Sequence, residues 1–172
     1  FGEQYNIGNL YKVDIPDEYI PNMLDWDKPL SVQPQIIQKL NPQTLGLSYT
    51  KLPNGNHAFV NSEGKKFGML QKGGTFESFE KNWMEDLTKG TGADFYKKFG
   101  QSMFGQDTVK TSETLNNAGI KGIRYLDAGS RGKSGTSNFV VFEPSNVKIL
   151  EENSKPMTRK EIIEQELEKV AK

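Results

Sequence analysis

Apolar and polar residues first alternate at Leu10–Ile15 (L-Y-K-V-D-I), a two-residue period that predicts a half-buried strand ending at Pro16. Asp17 to Pro29 is interrupted by prolines and predicts a crossing loop, anchored to the core by Leu24 and Trp26. Ser31 stands as an N-cap before a short helix with apolar positions Val32, Ile36, Ile37 and Leu40. Pro34 falls in its first turn, where a missing N–H costs nothing. From Leu45 to Leu70 the period returns to two. The runs L-G-L-S-Y-T-K-L and H-A-F-V flank Pro53-Asn54-Gly55-Asn56, and Asn-Gly suits the left-handed backbone of a tight hairpin turn. A second turn at Asn61–Gly64 leads into Lys66–Leu70, so the segment reads as a small antiparallel meander inserted on a core fold.

Three stretches then carry apolar residues at helical spacing. Thr75 caps Phe76, Phe79, Trp83 and Leu87; a second run carries Phe95, Tyr96, Phe99 and Met103; a third, about Thr108 to Asn117, carries Val109 and Leu115 and stops at Gly119. Aromatic stripes of this kind are read as core packing rather than a cofactor box. Ile120–Leu126 (I-K-G-I-R-Y-L), Asn138–Phe142 (N-F-V-V-F) and Val147–Leu150 predict three strands, with a turn at Glu143-Pro144-Ser145. After Lys155-Pro156 charges of both signs surround Ile162, Ile163, Leu167 and Val170, and Thr158 with Glu161 forms a capping box. The fold class is therefore α+β. Residues 1–150 form one domain with a hairpin insertion at 45–70, and 151–172 form an amphipathic helix that packs on it or leads to a following domain.

Composition narrows the chemistry. Twenty-two basic residues balance 22 acidic ones, so there is no strong nucleic-acid signal and no membrane-surface signal. No apolar run approaches the roughly 18 residues of a membrane span. With no Cys and 1 His, thiolate and His-rich metal sites are excluded. Phosphate-loop, dinucleotide-fingerprint, H-E-x-x-H and G-x-S-x-G motifs are absent. His57, beside the Asn-Gly turn, reads as a surface turn residue. The acidic pairs Asp25/Asp27 and Glu151/Glu152 read as solvated loop charges. The loop Asp127–Ser137 (D-A-G-S-R-G-K-S-G-T-S) differs. Glycines let its amides approach an anion, and it offers hydroxyls at Ser130, Ser134, Thr136 and Ser137 and cations at Arg131 and Lys133. Its alternative reading is a plain surface connection.

The segment S-E-T-L-N-N-A-G-I-K-G-I-R-Y-L-D-A-G-S-R-G-K-S-G-T-S-N-F-V-V-F-E-P-S-N-V-K-I-L resembles the C-terminal part of the ADP-ribosyltransferase-like domain of large polyvalent proteins of phages and conjugative elements. G-N-L-Y-K-V-D-I-P-D-E, L-D-W-D-K-P-L-S and T-G-A-D-F-Y-K-K-F resemble further pieces of it in the same order, so the likeness covers most of residues 8 to 150. It leaves out 45–70. The resemblance implies a split, mostly antiparallel sheet flanked by helices that holds NAD as substrate, without a metal. S-N-F-V-V-F-E lies along the third signature segment of that superfamily, near N-E-Y-I-V-Y-D in poly(ADP-ribose) polymerases, which puts Asn138 where the catalytic Glu stands. The first two signature elements are not found. Phe1–Asn6 reads as the stub of the helix after them, and the chain as a fragment.

The resemblance implies the NAD-binding and acceptor-recognising part of a mono-ADP-ribosyltransferase. Asn138 would be the catalytic-position residue, with Ser130, Arg131 and Thr136 binding NAD and Asp127, Gly129 and Lys133 in the acceptor loop. Partners would be a target protein, the upstream part of the same polypeptide and other virion proteins, in the bacterial cytoplasm or a phage particle. The isolated chain is expected to be inactive. The alternatives are a non-enzymatic virion component that keeps the fold as a scaffold, and a small nuclease-type toxin, against which the neutral charge and lone His weigh.

Overall fold

The computed structural model describes residues 10–70, 76–127, 136–153 and 155–170. Its strands are β1 (Tyr11–Asp14), β2 (Met23–Asp25), β3 (Ser48–Lys51), β4 (His57–Val60), β5 (Lys66–Leu70), β6 (Gly122–Leu126), β7 (Ser137–Val141), β8 (Lys148–Glu152) and β9 (Lys155–Pro156). The helices are α1 (Pro34–Lys39), α2 (Phe76–Lys89), α3 (Gly92–Phe104), α4 (Thr108–Asn117) and α5 (Arg159–Val170). This is an α+β chain, with three three-stranded sheets among the described residues. Tyr19–Phe142 make one compact unit, and the chain up to Glu18 and from Glu143 makes another.

In the larger unit β2 pairs in parallel with β6, and β6 pairs antiparallel with β7. The strand β2 corrects the expected crossing loop. Its residues lie between Pro21 and Pro29 and are all buried, and their pairing comes from a strand far along the chain. Lys121 N–H donates to Asn22 C=O at 2.9 Å and Trp26 N–H to Arg124 C=O at 2.8 Å, which continues the ladder past both ends. The β2–β6 pairing also makes this sheet mixed rather than antiparallel throughout. Leu24 is a core anchor as expected, whereas Trp26 is half-buried.

Helix α3 starts with a reciprocal cap. Asp94 N–H donates to Thr91 Oγ1 at 3.2 Å, and Thr91 N–H donates to Asp94 Oδ2 at 2.9 Å. Its first residue, Gly92, packs on β2: a Cβ there would collide with the Asp25 carbonyl and touch Leu24 Cγ. Phe95, Phe99 and Met103 form its buried stripe, as their spacing predicted. Helix α4 is capped by Asp107, whose Oδ1 accepts from the N–H groups of Val109 and Lys110. Leu115 is in the core, but Val109 is 65% exposed, because it lies in the first turn on the solvent side. Ser31 does not cap α1. Gln33 takes the N-cap position without a side-chain cap, and Val32 is exposed. The proposed cap Thr75 lies outside the described residues.

The meander forms as its turn residues require. Gly55 has φ 83° and Gly64 φ 76°, both left-handed, and Asn61 Oδ1 accepts from the N–H groups of Glu63 and Lys65. Its packing differs from that of a segment standing apart from the core. Phe59 and Phe67 are buried, and the Trp83 ring meets both edge-on at 5.1 and 4.9 Å between centroids. Phe67 in turn meets Phe99 at 5.3 Å, so one aromatic chain runs from the meander through α2 to α3.

The smaller unit has the sheet order β1-β8-β9 and the helix α5. Here β1 is exposed at every residue rather than half-buried, with Val13 at 45%. A salt bridge from Lys12 to Glu151 at 2.6 Å crosses the β1–β8 pair, so Glu151 is not a simple solvated loop charge. The cap of α5 is present as read, with Thr158 N–H donating to Glu161 Oε2 at 2.7 Å and Glu161 N–H to Thr158 Oγ1 at 3.4 Å.

Candidate functional site

Strand β7 is the outer strand of its sheet, and Asn138 lies directly opposite Tyr125 of β6. Opposite residues of an antiparallel pair share a face, and side chains alternate along each strand. Tyr125, Asn138, Ile123 and Val140 therefore share one face. On that face Trp26, Ile123, Tyr125 and Val140 line an open cavity of about 330 Å³. Asn138 is exposed, two residue pairs further along the ladder than Val140. Asp127 and Thr136, both exposed, flank the Gly/Ser-rich loop at the ends of the two strands, and Asp127 N–H donates to Thr136 C=O at 3.2 Å. That bond closes the loop's neck. Gly129, Ser130, Arg131 and Lys133 lie outside the described residues.

The opposite face of the same sheet holds a polar cluster that the sequence reading overlooked. Asp25, at the end of β2, is 8% exposed. Its Oδ2 accepts from Arg124 Nη2 at 2.7 Å and from Lys28 Nζ at 3.1 Å. Gln33 fixes the backbone here: Asp25 N–H donates to Gln33 Oε1 at 2.8 Å, and Gln33 Nε2 donates to the carbonyls of Asp25 and Lys28 at 3.0 Å each. Asp27 accepts from Leu126 N–H at 2.8 Å through its Oδ2, which pins the chain one residue before the loop. Neither acid is a solvated loop charge. Burial pushes the Asp25 carboxyl upward, but hydrogen bonds from Arg124 and Lys28 outweigh it and hold the pKa below the ordinary value. The cluster lines a cavity of about 400 Å³ whose other walls include Ile20, Met23, Val32 and Ile36.

His57 opens β4 instead of decorating a turn. Its ring stacks on Tyr49 at 4.9 Å, and its buried Nδ1 has no hydrogen-bond partner among the described residues. Among the described residues no group of His, Asp and Glu could hold a metal ion, and no helix is long and apolar enough to cross a membrane.

No family model, no curated protein and no solved structure matches this chain. Its chemistry is therefore argued from two arrangements. One is the open recess of Trp26, Ile123, Tyr125 and Val140, with Asn138 opposite Tyr125 near the neck of a Gly/Ser-rich loop. The other is a cation pair oriented by a buried carboxylate.

Proposed function

We propose that the chain is the NAD-binding and acceptor-recognising part of a mono-ADP-ribosyltransferase-like domain. The supporting observation is the pairing of Asn138 with Tyr125 beside the recess of Trp26, Ile123, Tyr125 and Val140, at the neck of the loop that starts at Asp127. Aromatic walls suit the flat nicotinamide ring. An amide both donates and accepts, so Asn138 would hold a hydroxyl of the adjoining ribose. In the reaction, the bond from the ribose carbon to the nicotinamide nitrogen breaks and its electron pair leaves with nicotinamide. The acceptor nucleophile bonds to that carbon and loses its proton. A site of this kind works by positioning and by stabilising cationic ribose, so the protein contributes oriented dipoles rather than a covalent intermediate.

Ser130, Arg131 and Thr136 are assigned to NAD, and Asp127, Gly129 and Lys133 to the acceptor. A second reading, a scaffold without transfer activity, is favoured by the neutral amide at position 138, which cannot supply the charge of a carboxylate. Titration with NAD, followed by tryptophan fluorescence, tests the first reading. Saturable quenching that Asn138→Ala and Tyr125→Ala both weaken supports it. A wild-type chain that does not respond to NAD leaves the scaffold reading standing.

A further inference from the structure

Arg124 and Lys28 converge on one oxygen of Asp25, and the three charges sum to one net positive charge at the wall of a cavity. The guanidinium has five N–H donors and the ammonium three. Among the described residues, the side-chain partner of both Arg124 and Lys28 is Asp25 alone, so donors are left over on each. The Arg124 side chain is 33% exposed and that of Lys28 56%, so both are open to an entering ligand. The carboxylate is itself 89% buried in its side chain and fixed through Gln33, which makes Arg124 a preset rather than a mobile cation. Beyond the charges the cavity wall is mixed: Gln33 and Gln35 contribute amides, and Ile20, Met23, Val32 and Ile36 contribute an apolar side.

From this geometry we infer a second ligand site, for a small phosphomonoester whose phosphate meets Arg124 and Lys28 and whose apolar body fills the cavity. A phosphate presents several oxygens around one centre and can bridge two cations that already share an anion, where a carboxylate has two oxygens in one plane. The site lies on the opposite sheet face from Tyr125 and Asn138, so it does not depend on the transferase reading.

The test is amide NMR on the whole chain, titrated separately with phenyl phosphate, inorganic phosphate, benzoate and phenol. Phenyl phosphate should shift the amides of residues 24–36 and 122–126 saturably, inorganic phosphate more weakly, and benzoate and phenol little. Lys28→Gln should weaken phenyl phosphate by about tenfold, as expected for one lost charge-assisted hydrogen bond. Its thermal midpoint should fall only slightly, since Arg124 still pairs with the Asp25 carboxylate. Arg124→Lys, which keeps the charge on Asp25 paired but loses the fork, should weaken binding as well. Absent saturation with phenyl phosphate, an equal response to benzoate, or undiminished binding in Lys28→Gln would each overturn the assignment. Inorganic phosphate binding as tightly as phenyl phosphate would overturn the apolar half of it.

Discussion

The Asp25 carboxylate reaches Arg124 at 2.7 Å across a sequence separation of 99 residues, and the contact ties the end of β2 to the middle of β6. The pairing is parallel, so no hairpin turn holds these strands in register. The ion pair, the Gln33 bridge and the Asp27 bond to Leu126 N–H supply that register instead.

Asp25→Asn should therefore destabilise the larger unit by about 1–3 kcal/mol, because it leaves Arg124 without its anion while Lys28 can turn to water. The dependence on pH has a definite sign. The Asp25 pKa is lower in the folded chain than when unfolded, so the stabilisation is complete above the unfolded value, near 4, and fades as pH falls through the folded value. Urea midpoints measured from pH 7 down to pH 2 should show the gap between wild type and variant closing below about pH 4. A gap that stays constant to pH 2 would mean that Asp25 does not act through its charge.

Gly92→Ala should separate α3 from β2, since the new methyl group meets the Asp25 carbonyl, a backbone atom that cannot turn aside. The expected cost is about 1–3 kcal/mol from overpacking. Gly105→Ala serves as a comparison. Its φ of 61° is strained for alanine but the space around it is empty, so about 1–2 kcal/mol of purely backbone cost is expected. Thermal melts combined with mobility of the Asp25 and Leu24 amides distinguish the two. Only Gly92→Ala should perturb β2.

Phe59→Ala should cost about 3–5 kcal/mol, since it removes the ring that Trp83 meets edge-on and opens a cavity at the root of the meander. For the same reason, excising Leu47 to Lys66 behind a short linker should abolish the cooperative thermal transition of the larger unit. A cooperative melt retained after excision would show that the remaining residues close the core without Phe59.

These elements differ in how far the sequence reveals them. The strands β6 and β7 stand out by their apolar content and the meander by its turn residues and alternation, so local pattern was enough for these. The stripe of Phe95, Phe99 and Met103 was likewise visible in the spacing. Strand β2 was not, because Met23–Asp25 is too short for a period and sits between prolines. Asp25 looked like a solvated acid because Arg124, its partner, lies on a strand that pairs with β2 only in the folded chain. Gln33 gave no signal either: a glutamine before a proline is an ordinary surface residue until its amide finds two carbonyls to bind. Asn138 was singled out by likeness to a signature segment, and nothing in local periodicity separates it from any strand-starting asparagine.

Asn138→Glu probes the charge requirement at the proposed NAD site most directly. Asn138 is exposed on an outer strand, so the substitution should leave the unfolding free energy within about 0.5 kcal/mol of wild type, as surface changes do. In the transferase reading, a carboxylate opposite Tyr125 would hydrogen-bond the ribose hydroxyl more strongly than an amide does and stabilise positive charge developing on the sugar. In a complete domain, with the first two signature elements supplied, release of nicotinamide from NAD should then rise above the rate of the unsubstituted domain, with water as acceptor, while Asn138→Ala falls below it. The comparison is best made by chromatography of nicotinamide at neutral pH, where the introduced carboxyl is ionised. Should Asn138→Glu and Asn138→Ala both match wild type in nicotinamide release and in NAD-dependent quenching, position 138 has no part in NAD chemistry, and the scaffold reading replaces the transferase.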